Sequence, residues 1–329
     1  MKIMCKNMQL KVTLLERTTV PLMVADKPWE DMELGFTNVT KIENTWHMWY
    51  ESYDHNYRND ADGYLCYAYS NDGVHWVKPN LGLVDYLGSK DNNILISGPA
   101  NGGVCGHTVF LDEQSPAAER FKIVFIRWVN NEWQVYGGTS SDGIHWNLLL
   151  DTPLLAQNSD TQNVCFRDGD IYRLYVRMWD GGKLCEGKRV VGYTESDKFG
   201  NFSEPKIIFS HSAGDPEDFE FYNSAATKVK DNLFIIFPSA YSRKTGLVLP
   251  YLSASQDGIN FERIGTGPFL EFGNGFDNKC IYAGPGCVPG DKPGTYWFYY
   301  VGYNKGHDDP LSSWKYAGGI GRFLIKIQI

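Results

Sequence analysis

Ser70-Asn71-Asp72-Gly73-Val74-His75-Trp76 returns as Ser140-Ser141-Asp142-Gly143-Ile144-His145-Trp146. A relaxed copy, Ser255-Gln256-Asp257-Gly258-Ile259-Asn260-Phe261, lies further along, and a worn one stands at Ser196-Asp197-Lys198-Phe199-Gly200-Asn201-Phe202. Spacings of roughly 55 to 70 residues suit a four-stranded propeller blade with its loops. Asp-Gly is hairpin-turn chemistry: glycine accepts positive φ, and the aspartate bonds to the turn's own amides. The aromatic residue three places on re-enters a strand and packs between sheets.

Between these turns lie five apolar, aromatic-rich runs: Trp46–Tyr53, Phe121–Trp128, Ile171–Trp179, Leu233–Tyr241 and Tyr296–Tyr303. Each follows another strand-like stretch, namely Gly35–Ile42, Gly106–Asp112, Thr161–Arg167, Tyr222–Val229 and Cys280–Val288. Third strands follow at Gly63–Tyr69, Gln134–Thr139, Arg189–Thr194 and Leu247–Ala254; the last unit supplies Lys315–Ile320 and then Gly321–Ile329. The expected fold is all-β, a five-bladed β-propeller forming one domain over residues 1–329, with Leu10–Glu16 completing the last blade.

Composition agrees: 43% of the 329 residues are hydrophobic and 15% aromatic, with 34 glycines and 15 prolines feeding strands and tight turns. A formal charge of −8 argues against nucleic acid or an anionic membrane as partner. Nor does any run of some 18 apolar residues read as a membrane span. Seven scattered cysteines without a C-x-x-C pair fit reduced thiols better than a disulfide framework or zinc site. Met1–Lys6 lacks signal-peptide character, so the expected location is the cytoplasm. No metal or cofactor is expected, because no ligand spacing supports one.

In an up-and-down blade the Asp-Gly turns lie on one face, and the loop after the second strand lies on the other. Asp72, Asp142, Asp257, His75 and His145 therefore read as structural. The opposite face gathers the candidate site. Asp31, Glu33, Asp160 and Glu220 are its catalytic candidates, as acids at the mouths of inner strands. Glu51, Arg127 and Arg177 fall at similar places in three successive units, where a charge inside an apolar strand needs a partner. They join His107, Gln162, Asn163, Asn223, Tyr241 and Asp277 as the expected substrate-binding set.

The stretches Tyr69–Leu95, Ser159–Arg167, Val190–Pro205 and Asp215–Tyr241 resemble the five-bladed propeller glycosidases, the superfamily of glycoside hydrolase families 43 and 32. The resemblance spans nearly the whole chain. It implies a central funnel with three carboxylates: a base or nucleophile, an orienting acid and a general acid. Glu220 best matches the general acid, Asp160 the second carboxylate, and Asp31 or Glu33 the third. The chain departs from the pattern in lacking the Asn-Asp-Pro-Asn-Gly, Arg-Asp-Pro and Glu-Cys signatures. His107 also stands where the pattern places an acid. The implied function is a glycosidase cleaving a small or trimmed glycan by carboxylate general acid/base catalysis. Two alternatives stay open: a non-catalytic carbohydrate-binding propeller, and a phosphorylase whose arginines bind phosphate.

Overall fold

The computed structural model describes residues 10–328. Its architecture is all-β and propeller-like. Four separate four-stranded antiparallel sheets account for much of the chain. The first sheet is Glu33–Ile42, Thr45–Tyr53, Tyr64–Ser70 and Ile94–Ser97; the second is Cys105–Leu111, Phe121–Val129, Glu132–Ser140 and Asn147–Leu149. The third comprises Val164–Asp168, Ile171–Trp179, Arg189–Ser196 and Lys206–Phe209. The fourth comprises Thr227–Lys230, Leu233–Ile236, Ser253–Ser255 and Glu262–Arg263.

In place of a fifth four-stranded sheet stands one of nine strands. Its main path runs Lys11–Arg17, Gly319–Gln328, Thr295–Tyr303, Cys280–Ala283, Val248–Pro250, Ser239–Ser242, Phe219–Phe221, and two short strands lie off it, Met23–Val24 on Gly319–Gln328 and Val288–Pro289 on Thr295–Tyr303. The cause is local. The strands expected at Leu233–Tyr241 and Leu247–Ala254 are each broken in the middle, beside Pro238 and Pro250, which have no N–H to donate to a ladder; of the strand expected at Tyr222–Val229 only the part from Thr227 forms, with a separate short strand before it at Phe219–Phe221. Their far halves pair among themselves, and one parallel contact, Val248 with Cys280, joins them to the next sheet.

The end of the chain also departs from expectation. Gly319–Gln328 is one continuous strand rather than two meeting at Ile320–Gly321. Its glycines make room for rings: a Cβ on Gly319 would meet Phe276 at 2.8 Å, and one on Gly321 would meet Tyr300 at 2.6 Å. Ile329 and residues 1–9 lie outside the described residues. Lys11–Arg17 pairs antiparallel with Gly319–Gln328, so the first and last described strands share one sheet. Among the described residues no helix is long and apolar enough to cross a membrane.

The turns show how neighbouring sheets are held. In each intact copy the serine hydroxyl accepts the glycine amide, and the aspartate accepts two further amides (Val74 and His75, Ile144 and His145, Ile259 and Asn260). The amides and ring of His145 outweigh burial and hold the Asp142 carboxyl down to about 2. Each turn glycine has positive φ, and its carbonyl accepts from an aromatic side chain of the preceding unit. Trp49 Nε1 donates to Gly143 at 2.8 Å, Tyr175 OH to Gly258 at 2.8 Å, and Tyr299 OH to Gly73 at 2.7 Å.

Trp49, Tyr175 and Tyr299 each occupy the fifth position of a nine-residue strand. The corresponding residue of Phe121–Val129 is Phe125, which cannot donate. The turn that follows in the next unit is the worn copy at Ser196.

Removing one hydroxyl from such a latch leaves a buried carbonyl unpaired, at a cost of about 1–2 kcal/mol. Tyr175→Phe should therefore lower the unfolding free energy by that amount. Tyr299→Phe should cost less, because the Gly73 carbonyl also accepts from Arg322 Nη1 at 3.2 Å. Equilibrium urea denaturation of the two variants checks the order.

Candidate active site

A cavity of about 160 Å³ opens where the inner strands begin. Two bulges shape its floor. The pairing of Glu33–Ile42 with Thr45–Tyr53 slips between Leu34 and Thr37, and that of Cys105–Leu111 with Phe121–Val129 slips between Cys105 and Thr108. Bulges re-aim side chains, and here they bend the strands at Gly35 and Gly106, both in the cavity wall. Glycine is required at both places. A Cβ on Gly35 would stand 3.0 Å from Glu51 Oε2, and one on Gly106, where φ is +62°, would strike the Thr161 carbonyl at 2.2 Å.

Four carboxyl groups face this space: Glu33, Glu51, Asp60 and Asp160. Their environments differ. Glu51 is buried; one oxygen accepts the His107 amide at 3.2 Å and faces His107 Nδ1 at 3.1 Å, while the other accepts Tyr53 OH at 3.2 Å. Asp160 is paired with Arg177 Nη1 at 2.9 Å, and Arg177 also donates through Nε to the Tyr222 carbonyl at 3.0 Å while lying over the Tyr222 ring. Asp60 opens the short turn that Asn59 caps and accepts Tyr57 OH at 2.7 Å; burial, then the charges of Glu51 and Asp160, raise its pKa against the Tyr57 hydrogen bond and the charge of Arg177. Glu33 is half-buried in the cavity wall. Burial, with Asp60 and Glu51 nearby, pushes its pKa up to about 8.

Above the acids stands an aromatic wall. Tyr222 packs edge-on against Tyr282 and His307, and Tyr282 OH lies 2.9 Å from His307 Nδ1. Burial, with Arg189 and Arg177 close by, holds His307 down to about 4 despite Asp308.

Of the residues expected to form the site, Glu33, Glu51 and Asp160 line the cavity. Arg177 and His107 sit directly behind them, and the His107 Nε2 atom is buried without a partner. Gln162 and Asn163 belong to the buried framework: Gln162 Nε2 donates to the His107 carbonyl at 3.0 Å, and Asn163 Oδ1 accepts from Ser159. Asn223 reaches only the Ala283 carbonyl, at 3.4 Å, and Tyr241 donates to Asp308 at 2.8 Å.

Four residues lie apart from the cavity wall. Asp31 is spent on the amide and ring of His55, at 2.7 and 2.8 Å. Glu220 is buried between Arg189 and Arg243. Arg127 donates to the Asn101 carbonyl and stacks on Tyr136. Asp277 pairs with Arg17 and Tyr300 beside a different hollow. Sequence reasoning missed Asp60, Tyr57 and Trp314. Asn59-Asp60-Ala61-Asp62-Gly63 looks like a solvated turn, and its one signal was the asparagine, whose Oδ1 accepts the Ala61 amide at 2.9 Å. Among the described residues no group of three His, Cys, Asp or Glu is placed to hold a metal ion.

No family model matches the chain, nor does any curated protein. Solved structures do. One described as a glycoside hydrolase aligns with a TM-score of 0.66 at 14% identity, over 94% of this chain and 92% of that one. An N-acetylgalactosamine deacetylase from F. plautii, in complex with blood group B trisaccharide, gives 0.64 at 17% identity, over 94% and 93%. An α-L-arabinofuranosidase from Podospora anserina, in complex with cellotriose, gives 0.62 at 12%, over 93% and 95%. The chain shares their fold. At these identities the likeness extends no further than that.

The raised Glu33 carboxyl has a consequence for stability. Its pKa rises from an ordinary 4.5 to about 8 on folding, so within that window the native state binds more protons than the unfolded one. Stability attributable to this group is therefore present below the lower value and is lost as pH climbs through the window. Glu33→Gln should flatten the decline of unfolding free energy between these limits, as read by denaturation at a series of pH values.

Proposed function

We propose that this chain is a glycoside hydrolase built on a five-bladed propeller, related in plan to glycoside hydrolase families 43 and 32. The nine-stranded sheet supports this reading, because it divides at the single Val248–Cys280 contact into the last blade and the far half of the fourth. So does the aromatic position shared by Trp49, Phe125, Tyr175 and Tyr299, the fifth residue of four nine-residue strands, with Phe237 at the break in the corresponding stretch of the fourth unit.

The observation that carries the function is the unequal state of the cavity's carboxyls. Glycoside cleavage needs one protonated carboxyl beside the leaving oxygen and one ionised carboxylate on the other side of the bond. Glu33, pushed up to about 8, keeps its proton near neutrality and serves as general acid. Asp160, paired with Arg177, serves as the base or nucleophile. Glu51, fixed by His107 and Tyr53, orients the sugar and offsets positive charge on the ring carbon.

Glu220, the general acid expected from the resemblance, gives way to Glu33 in this assignment. Two arginines surround it, and it does not reach the cavity. Phosphorolysis finds less support than hydrolysis: Arg177 and Arg189 are engaged by Asp160 and Glu220, and His307 is neutral. A passive binding site has no use for a carboxyl kept protonated beside an ionised one. The six described cysteines are free thiols, which supports a reducing, cytoplasmic setting.

Aryl glycosides and short oligosaccharides form the test panel. Glu33→Gln and Asp160→Asn should each lower kcat about 10²- to 10⁴-fold with the fold retained. In the wild-type protein kcat/KM should fall as pH rises through about 8, the value to which Glu33 is raised. Turnover that survives both substitutions would show the assignment to be wrong.

A further inference from the structure

Among the described residues, the wall of the cavity contains four carboxyl groups and neither lysine nor arginine. Its one histidine, His307, is held neutral by burial. Acid, base and orienting roles employ Glu33, Asp160 and Glu51, which leaves Asp60. That carboxyl is half-buried, feels the charges of Glu51 and Asp160 and, against them, that of Arg177, and takes one hydroxyl, that of Tyr57, with no cation among the described residues bonded to it. A carboxylate withdrawn from water without a cation costs free energy, and a ligand carrying positive charge would offset it.

An independent observation points to a ligand at the same place. Thr161 lines the cavity, is only 2% exposed, and its hydroxyl has no hydrogen-bond partner. Tyr57, Tyr222, Tyr282 and Trp314 line the same cavity. Aromatic faces carry negative potential and favour a cation. A polar orphan, an acid with no cation bonded to it and aromatic walls together describe a receptor for a small, hydroxylated cation.

We propose that the cavity takes a terminal sugar bearing a protonated amino group, with Asp60 receiving the ammonium and the Thr161 hydroxyl bonding beside it. This rests on the cavity being the glycan site. Anionic sugars such as uronates are rejected, since the wall offers them no cation.

Isothermal titration of the intact chain with glucosamine, galactosamine and mannosamine, their parent hexoses and the matching uronates tests the ranking. At least one amino sugar should bind about tenfold or more tightly than its parent hexose, the size of effect a charged hydrogen bond gives. The uronates should bind most weakly. Asp60→Asn should narrow the gap between amine and hexose to less than about threefold. Equal binding of amine and hexose, no amino-sugar binding, tighter uronate binding, or a gap that survives Asp60→Asn would each overturn the proposal. The wild-type ranking decides it even if the variant does not fold. Binding is read without turnover, so the two readings fail separately. An intact amine preference with no cleavage of any glycoside sinks hydrolysis alone; cleavage of neutral glycosides with no amine preference sinks the amino sugar alone.

Discussion

A carbonyl at the tip of a tight turn, once covered by a neighbouring sheet, must find a donor there. In this protein an aromatic side chain of the preceding unit supplies it at Gly73, Gly143 and Gly258. The latch sets more than one distance. Positive φ and the approach of the ring both demand glycine, and the serine and aspartate beside it fold the turn so that the carbonyl points at the donor. A donor in one sheet and an intact turn in the next are therefore a matched pair. Where the donor position holds Phe125, the next turn has drifted to Ser196-Asp197-Lys198-Phe199-Gly200. Each latch ties the turn of one unit to the second strand of the unit before it.

Bulges at Gly35 and Gly106 turn the first two inner strands into the wall of a pocket. Glu33 and Glu51 come from neighbouring strands of one sheet, Asp60 from the loop that follows, and Asp160 from the approach to the third sheet. Four carboxyls so gathered repel one another. The protein relieves one with Arg177 and supports another with His107 and Tyr53, while Glu33 keeps its proton. The resulting asymmetry supports the acid and base roles proposed above.

Much of the fold was legible in the chain itself. The recurrent Ser-x-Asp-Gly-x-x-Trp phrase and the aromatic runs located the hairpins within a few residues, because turn chemistry and strand alternation are local properties. Ile171–Trp179 was placed to the residue. The misreadings came where a non-local partner decides. Pro238 and Pro250 split strands that look continuous, and Gly319 and Gly321 extend a strand because rings lie on them.

For the site, the sequence by itself determined which kinds of group face the cavity. Glu33 and Asp160 stood out as acids at the mouths of inner strands, and Glu51 as a charge inside an apolar strand, which needs a partner. Only the tertiary structure decided which acids share one space. Asp31 and Glu220 have the same local signature, yet one is spent on His55 and the other lies between two arginines distant in the chain. Asp60 has only the capping asparagine before it as a signal, and burial beside Glu51 and Asp160 gives it a place in the cavity. Charge and hydrogen-bonding capacity are written residue by residue. Whether a carboxyl meets a cation, another carboxyl or water depends on contacts that form only when the sheets come together.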